Sequence, residues 1–132
     1  MNNRCYCVAL RKASRRVSSL YDEALAEYGI TVAQFSLMRR LQSGQPLSVS
    51  ELAERLELDR STVGRNVKLL VNKGLVGQKA GSDQREAELS LSETGATLLT
   101  ESEGSWKQVQ VNIEAKLGTH GTQQLIALLN TL

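Results

Sequence analysis

The chain has 132 residues, with 16 lysines and arginines against 14 acids and a formal net charge of +2. That length suits one domain with a single core, and with only 4% aromatic residues aliphatic side chains must fill it. No apolar run approaches the ~20 residues of a membrane span, and Val8-Ala9-Leu10 runs straight into Arg11-Lys12, too short for a secretory apolar core, so the expected location is the cytoplasm, where thiols stay reduced.

Leu10, Ala13, Val17, Leu20 or Tyr21, Ala24 and Tyr28 recur at steps of three and four, which predicts a long first helix ended by Gly29. Thr31 with Gln34 forms a capping-box pattern for a second helix carrying Phe35, Leu37, Met38 and Leu41, before Gly44 and Pro46 break it. Leu47-Ser48-Val49 suits a short edge strand, and Ser48 with Glu51 is the better capping box for a third helix with Leu52, Ala53 and Leu56 inside. Leu58 is expected to plug the following turn and Asp59 to cap a fourth helix, with Val63, Val67, Leu70 and Val71 inward and Gly74 at its end. Leu75-Val76 opens a hairpin, and residues 86–91 alternate polar and apolar as a half-buried returning strand does. Ser92 caps a last long segment on which Leu98 or Leu99, Trp106, Val109, Ile113 and Leu117 share a face; Gly118 interrupts it, and a short helix follows over 122–132.

A helix, tight turn, second helix and hairpin, with Gly81-Ser82-Asp83-Gln84-Arg85 at the hairpin tip, is the outline of a duplex-DNA reader. One helix enters the major groove and the tip reaches the neighbouring minor groove. The expected fold is mainly α with a small antiparallel β wing. Within a single domain (1–132), a winged helix-turn-helix lobe over 30–91 is flanked by helical dimerisation regions over 5–28 and 92–132. On the fourth helix the outward side chains are Arg60, Ser61, Thr62, Arg65, Asn66, Lys68 and Lys73. Ser61, Thr62 and Arg65 fall where base edges are met, Arg65 being able to grip guanine in bidentate fashion, while Lys68 suits phosphate. Asp83, two residues from Arg85, can aim that guanidinium into the narrow minor groove. The flanking helices have apolar faces that a small central core cannot cover, which implies a homodimer on palindromic double-stranded DNA. A small-molecule effector pocket is expected where the second helix meets the first, with Tyr21, Phe35 and Met38 as lining residues or as plain core. The competing reading is a winged-helix protein-interaction module: Glu86 and Glu88 beside the wing favour it, while Arg65, Lys68 and Arg85 favour DNA.

Leu52-Ala53-Glu54-Arg55-Leu56, Asp59-Arg60-Ser61-Thr62-Val63, Lys73-Gly74-Leu75-Val76, Asp83-Gln84-Arg85 and Leu91-Ser92-Glu93-Thr94-Gly95 together resemble the MarR family of bacterial regulators, along the whole chain. The resemblance implies dimeric winged helix-turn-helix proteins, usually repressors, released from palindromic DNA by a small ligand or by oxidation. It also implies base-proximal roles for Ser61, Thr62 and Arg65, and a wing pair in Asp83 and Arg85. Two positions depart from that pattern: Gly64 replaces a usual polar residue, at ~1 kcal/mol of helix propensity, and Glu57 stands where glycine is common.

Cys5 and Cys7 are the only cysteines and fall at the start of the first helix, whose positive end favours thiolate. They are candidate redox sensors, able to form sulfenate and then a disulfide, or structural residues. Adjacent i, i+2 positions diverge on a helix, so an intersubunit bond is the better geometry. Cys7-Val8-Ala9-Leu10 with Ala13-Ser14-Arg15 is similar to the reactive-cysteine segment of the organic hydroperoxide regulators in this family. In those proteins partner tyrosines stabilise the thiolate, and the matching positions here hold Val32 and Phe35. Two cysteines and the distant His120 make no zinc spacing, and no nucleophile–base pair or phosphate-cradling glycine loop points to an enzyme or a cofactor.

Overall fold

Side-chain caps set where four of the helices begin. The computed structural model describes residues 4–81 and 86–132; the expected wing-tip pair, Asp83 and Arg85, lies outside the described residues. The order is α1 (Tyr6–Leu25), a 3₁₀ turn (Ala26–Tyr28), α2 (Val32–Leu41), α3 (Val49–Leu56), α4 (Arg60–Asn72), β1 (Val76–Ala80), β2 (Ala87–Leu91) and α5 (Glu93–Asn130). Thr31 Oγ1 accepts the Gln34 N–H at 3.2 Å while Gln34 Oε1 accepts the Thr31 N–H at 3.1 Å, a complete capping box for α2. Ser48 and Glu51 repeat it for α3, both bonds at 3.1 Å. Ser92 Oγ takes the Gly95 N–H at 2.9 Å to open α5. Each cap satisfies N–H groups that a first helical turn leaves without partners.

The Ser48 box also shortens the edge strand expected over Leu47-Ser48-Val49. Only Leu47 pairs, as a single bridge with Leu89 (3.1 and 2.8 Å), and Val49 is already helical. Beside that bridge, β1 and β2 form an antiparallel hairpin in register from Val76 opposite Leu91 to Ala80 opposite Ala87.

The core gathers Leu25, Phe35, Leu37, Met38, Leu41, Leu52, Val63, Leu70, Leu89 and Leu99, all at most 2% exposed. Val76 on β1 and Leu89 on β2 are the described strand residues buried in the core, as period-two alternation brings to the covered face of a sheet. Leu58 does not plug the α3–α4 turn; it is 48% exposed. The turn is closed by backbone instead, with the Leu58 N–H donating to Ala53 O at 2.9 Å. Glu57 sits there in the left-handed region at φ 52° and ψ 45°, which costs a residue with a Cβ on the order of 1 kcal/mol. Glu57→Gly is therefore expected to raise stability by up to ~1 kcal/mol, read as a higher midpoint in urea unfolding.

Two glycines have opposite surroundings. A Cβ on Gly64 would meet only Val49 Cγ1 at 4.0 Å, an ordinary contact, so its glycine costs helix stability with no steric return. Gly64→Ala is expected to stabilise by ~0.5–1 kcal/mol in the same unfolding measurement. Gly95 lies flat against the chain at Leu75: a Cβ there would stand 2.0 Å from the Leu75 carbonyl oxygen.

At the ends of the chain the apolar faces stay open. α1 buries only Tyr21 and Leu25, and its expected inward residues Leu10, Val17 and Leu20 are 45%, 39% and 40% exposed. α1 packs on α5 and α2, and its buried residues, Tyr21 and Leu25, fall toward its C-terminal end. Asp22 Oδ1 fixes that junction by accepting the Val32 N–H at 2.8 Å. Gly118, at φ 75° and ψ 161°, breaks α5, and on the arm beyond it Leu125, Ile126, Leu128 and Leu129 are exposed. None of the described helices is long and apolar enough to cross a membrane.

Candidate nucleic-acid interface

α4 is laid across α3 by Val63, Val67 and Leu70, which are buried, and this turns the opposite face outward. Ser61, Arg65 and Lys68 are exposed there, at i, i+4 and i+7, one stripe along the helix. Thr62 is half-buried, and its Oγ1 accepts from Arg65 Nη2 at 3.4 Å. Asn66, read as outward from sequence, is half-buried as well and is engaged by Gln34 Nε2 at 3.5 Å. Lys73 donates to the Gly29 carbonyl, which draws it away from the stripe. The stripe thus keeps Ser61, Arg65 and Lys68, with Thr62 beneath them.

Asp59 holds the start of α4. Its carboxylate accepts from Ser61 Oγ and, at 3.2 Å, from the Thr62 N–H. The Ser61 hydroxyl and then that backbone N–H hold its pKa below the usual carboxylate range. A depressed folded-state pKa places this group's stabilisation above its unfolded value, to be lost as pH falls through the folded one. Thermal melts from pH 6 to 3 are expected to show a steeper loss of midpoint for the native chain than for Asp59→Asn, whose amide caps but does not titrate.

Arg60 is also less free than its sequence position suggests. Its Nη2 meets Glu86 Oε1 at 3.0 Å and its Nε donates to Ser50 Oγ at 3.0 Å, while Ser50 Oγ donates to the same Glu86 oxygen at 2.6 Å. These bonds, Ser50 first and Arg60 second, lower the Glu86 pKa. The knot ties the first turn of α4, the first turn of α3 and the residue that leads into β2 together, so the outward stripe and the hairpin keep a fixed relation. Glu86 was read from sequence as a solvated flank of the wing. Alternation along the strand says which face a residue takes, but not that Arg60, 26 positions earlier, lies opposite it.

Charge is segregated around α3. On the hairpin side a concavity is lined by Glu51, Glu54, Glu86 and Glu88. On the other side Arg39, Arg40 and Arg55 surround a second one. Sequence reading missed the arginine cluster, because Arg55 stands 15 positions beyond Arg40; the Arg39-Arg40 pair at the end of α2 was its only local signal.

Tyr21, Phe35 and Met38, expected either to line an effector pocket or to be plain core, are buried in the core. Phe35 stacks on Trp106 with centroids 5.6 Å apart. Tyr21 is 9% exposed and donates to Gln110 Oε1. The larger groove, about 580 Å³, lies between α1 and α5 and is lined by Leu20, Glu23, Ala24, Val109, Ile113 and Lys116 among others. Cys5 stands at the N-cap position of α1 without a side-chain cap bond and Cys7 lies in its first turn, both exposed; Val32 and Phe35, the two positions matched to the tyrosines in the resemblance, carry no polar side chain. Among the described residues no cluster of His, Cys, Asp and Glu could hold a metal ion.

A helix-turn-helix followed at once by a two-stranded hairpin, with a basic outward face on the second helix, defines a winged helix-turn-helix protein. The MarR family model matches residues 28–86. The M. tuberculosis transcriptional regulator MosR, solved in complex with DNA, is 32% identical with a TM-score of 0.84, over 97% of this chain and 95% of that one. A probable transcriptional regulator from Pseudomonas aeruginosa is 25% identical with a TM-score of 0.85, over 94% of this chain and 93% of that one. The organic hydroperoxide resistance transcriptional regulator of Bacillus subtilis is 31% identical over 93 residues, 70% of this chain and 63% of the relative. The match thus spans less than two thirds of the length of such curated relatives. The chain belongs to the MarR family.

Proposed function

We propose that this chain is a homodimeric, sequence-specific DNA-binding transcriptional regulator that acts as a repressor. The observation that carries the reading is the α4 stripe: Ser61 and Arg65 stand where base edges would be met and Lys68 where phosphate would be, on a helix whose start is fixed by Asp59. Arg60 braces the hairpin, and the minor-groove contact of this reading falls to the wing pair expected from the sequence, Asp83 and Arg85. Resemblance to a regulator solved on DNA supports the same reading. In this reading the winged lobe spans 30–91, and the regions 5–28 and 92–132 pair two chains. The open apolar positions on α1 and on the arm after Gly118 support that pairing, since exposed apolar surface of this extent marks interaction sites. Two lobes related by a two-fold axis would read the halves of a palindromic operator. No enzymatic role is part of this reading, and a cytoplasmic location is.

Release from DNA would follow a signal that favours a lobe separation no longer matched to successive major grooves. One route is oxidation: a peroxide takes the Cys5 or Cys7 thiolate to sulfenate, releasing water or an alcohol, and a second thiol then forms a disulfide with loss of water. The other is a small ligand in the α1–α5 groove, whose size suits one. The acidic concavity of Glu51, Glu54, Glu86 and Glu88 favours a second reading, a module that docks a basic protein segment. Fluorescence anisotropy of the reduced and peroxide-treated protein on its own upstream intergenic DNA separates these readings. Tight binding lost on oxidation and restored by a thiol reductant supports the redox-switched repressor. Tight binding indifferent to peroxide directs the search to the groove. No binding in either state favours the docking module.

A further inference from the structure

Arg39 and Arg40 end α2, Arg55 ends α3, and together with Ser36, Ser43 and Gln45 they line an open recess of about 560 Å³ whose surface is mainly polar. No acidic side chain lines it, and among the described residues neither Arg40 nor Arg55 has a carboxylate within ion-pair distance. Three guanidiniums drawn into one concavity repel one another unless an anion joins them. Helix C-termini attract cations and help keep them there, but that explains each arginine singly and not their convergence on hydroxyl and amide donors. Arg39 is held in place by an aromatic face, its guanidinium carbon 4.4 Å above the Trp106 ring centre. A planar, pre-oriented guanidinium beside two others is the arrangement that grips phosphate oxygens.

We propose that Arg39, Arg40 and Arg55 form a binding site for a phosphate-bearing anion. The recess exceeds one phosphate group and has the volume of a small-ligand site. Its position argues about the source. Arg55 follows Ser50 by five residues, about 140° around α3, so the recess opens on the flank away from the Ser50–Glu86–Arg60 knot and the hairpin. A free phosphorylated small molecule fits that flank better than the backbone of DNA gripped by α4. Through Arg39 on α2 and Trp106 on α5, an occupant would bear on the joint between the winged lobe and the long helix. The binding site itself does not depend on the DNA-binding reading.

Trp106 is the only tryptophan and lies under Arg39, so its fluorescence reports on the site. The test titrates the full-length protein and Arg40→Gln/Arg55→Gln with pyrophosphate, following tryptophan emission and heat, with circular dichroism to confirm that the exposed substitutions leave the fold intact. The expected result is saturable binding that weakens at least tenfold in the double variant, with the salt dependence of DNA binding unchanged. Should pyrophosphate fail to saturate while the variant lowers the slope of log affinity against log salt by about four, two contacts from each of two chains, the site holds phosphate and the source is the DNA backbone. Absence of both effects, or pyrophosphate binding equal in the two proteins, overturns the proposal.

Discussion

Gly95→Ala is expected to lower the thermal midpoint by ~6–18 °C, although the same exchange in a free helix would add about 1 kcal/mol. Gly95 is buried in the first turn of α5. An alanine Cβ would lie 2.0 Å from the Leu75 carbonyl oxygen, 2.9 Å from its carbon and 3.0 Å from Leu91 Cδ1. The oxygen cannot move cheaply, because it accepts the Ser92 N–H at 3.0 Å and Leu75 is itself buried. Relief needs either α5 to lift off the strand or Leu75 to turn away, and either movement removes a buried hydrogen bond and opens packing around Leu70 and Leu89. Overpacking of this kind costs ~1–3 kcal/mol and a lost buried bond ~1–3 more, which at about 3 °C per kcal/mol for a chain of this size gives the shift stated. Differential scanning calorimetry of Gly95→Ala beside Gly64→Ala checks it. The two glycine exchanges should move the midpoint in opposite directions, and a Gly95 variant as stable as the native chain would mean that α5 does not sit against Leu75 in this way.

Arg65→Ala is expected to weaken binding to the upstream operator by about 30-fold or more. One lost base contact costs ~1–3 kcal/mol, and in a two-fold complex the loss occurs in both half-sites. Arg65 is exposed, and among the described residues its one hydrogen bond is a long one to Thr62, so the folded state should be little changed and the effect confined to DNA. Lys68→Ala is the control with a different signature. It should weaken operator and unrelated duplex alike and lower the salt slope by about two, one phosphate contact in each half-site, whereas Arg65→Ala should narrow the gap between operator and scrambled duplex. Anisotropy titrations over a range of salt separate the two, and equal losses on both duplexes for Arg65→Ala would remove it from base readout.

Much of this architecture was legible in the sequence because its signals are local. Thr31 with Gln34, Ser48 with Glu51, Asp59 and Ser92 each bond to backbone within three residues, so type and spacing sufficed to place four helix starts. The inward residues of α2 and α4 followed from helical period alone. Failures arose where one local signal met another or where the partner was distant. Leu47-Ser48-Val49 looked like a strand, but the Ser48 cap took Val49 into α3. Leu58 is apolar and sits in a turn, yet the turn closes through its N–H while its side chain points out. Period also marked Leu10, Val17 and Leu20 as an inward face without saying inward to what, and within one chain nothing covers them. The Arg60–Glu86–Ser50 knot and the convergence of Arg39, Arg40 and Arg55 join segments 10 to 36 residues apart, so no window on the sequence contains them.

The most direct measurement is the ratio of affinities of the reduced, full-length protein for its own upstream intergenic duplex and for a scrambled duplex of equal length and composition, at fixed physiological salt. A regulator reading bases through α4 should prefer its operator by about 10³-fold or more, with two chains bound per duplex. Equal affinity for both duplexes would contradict sequence-specific reading by α4 and leave the fold to a docking role.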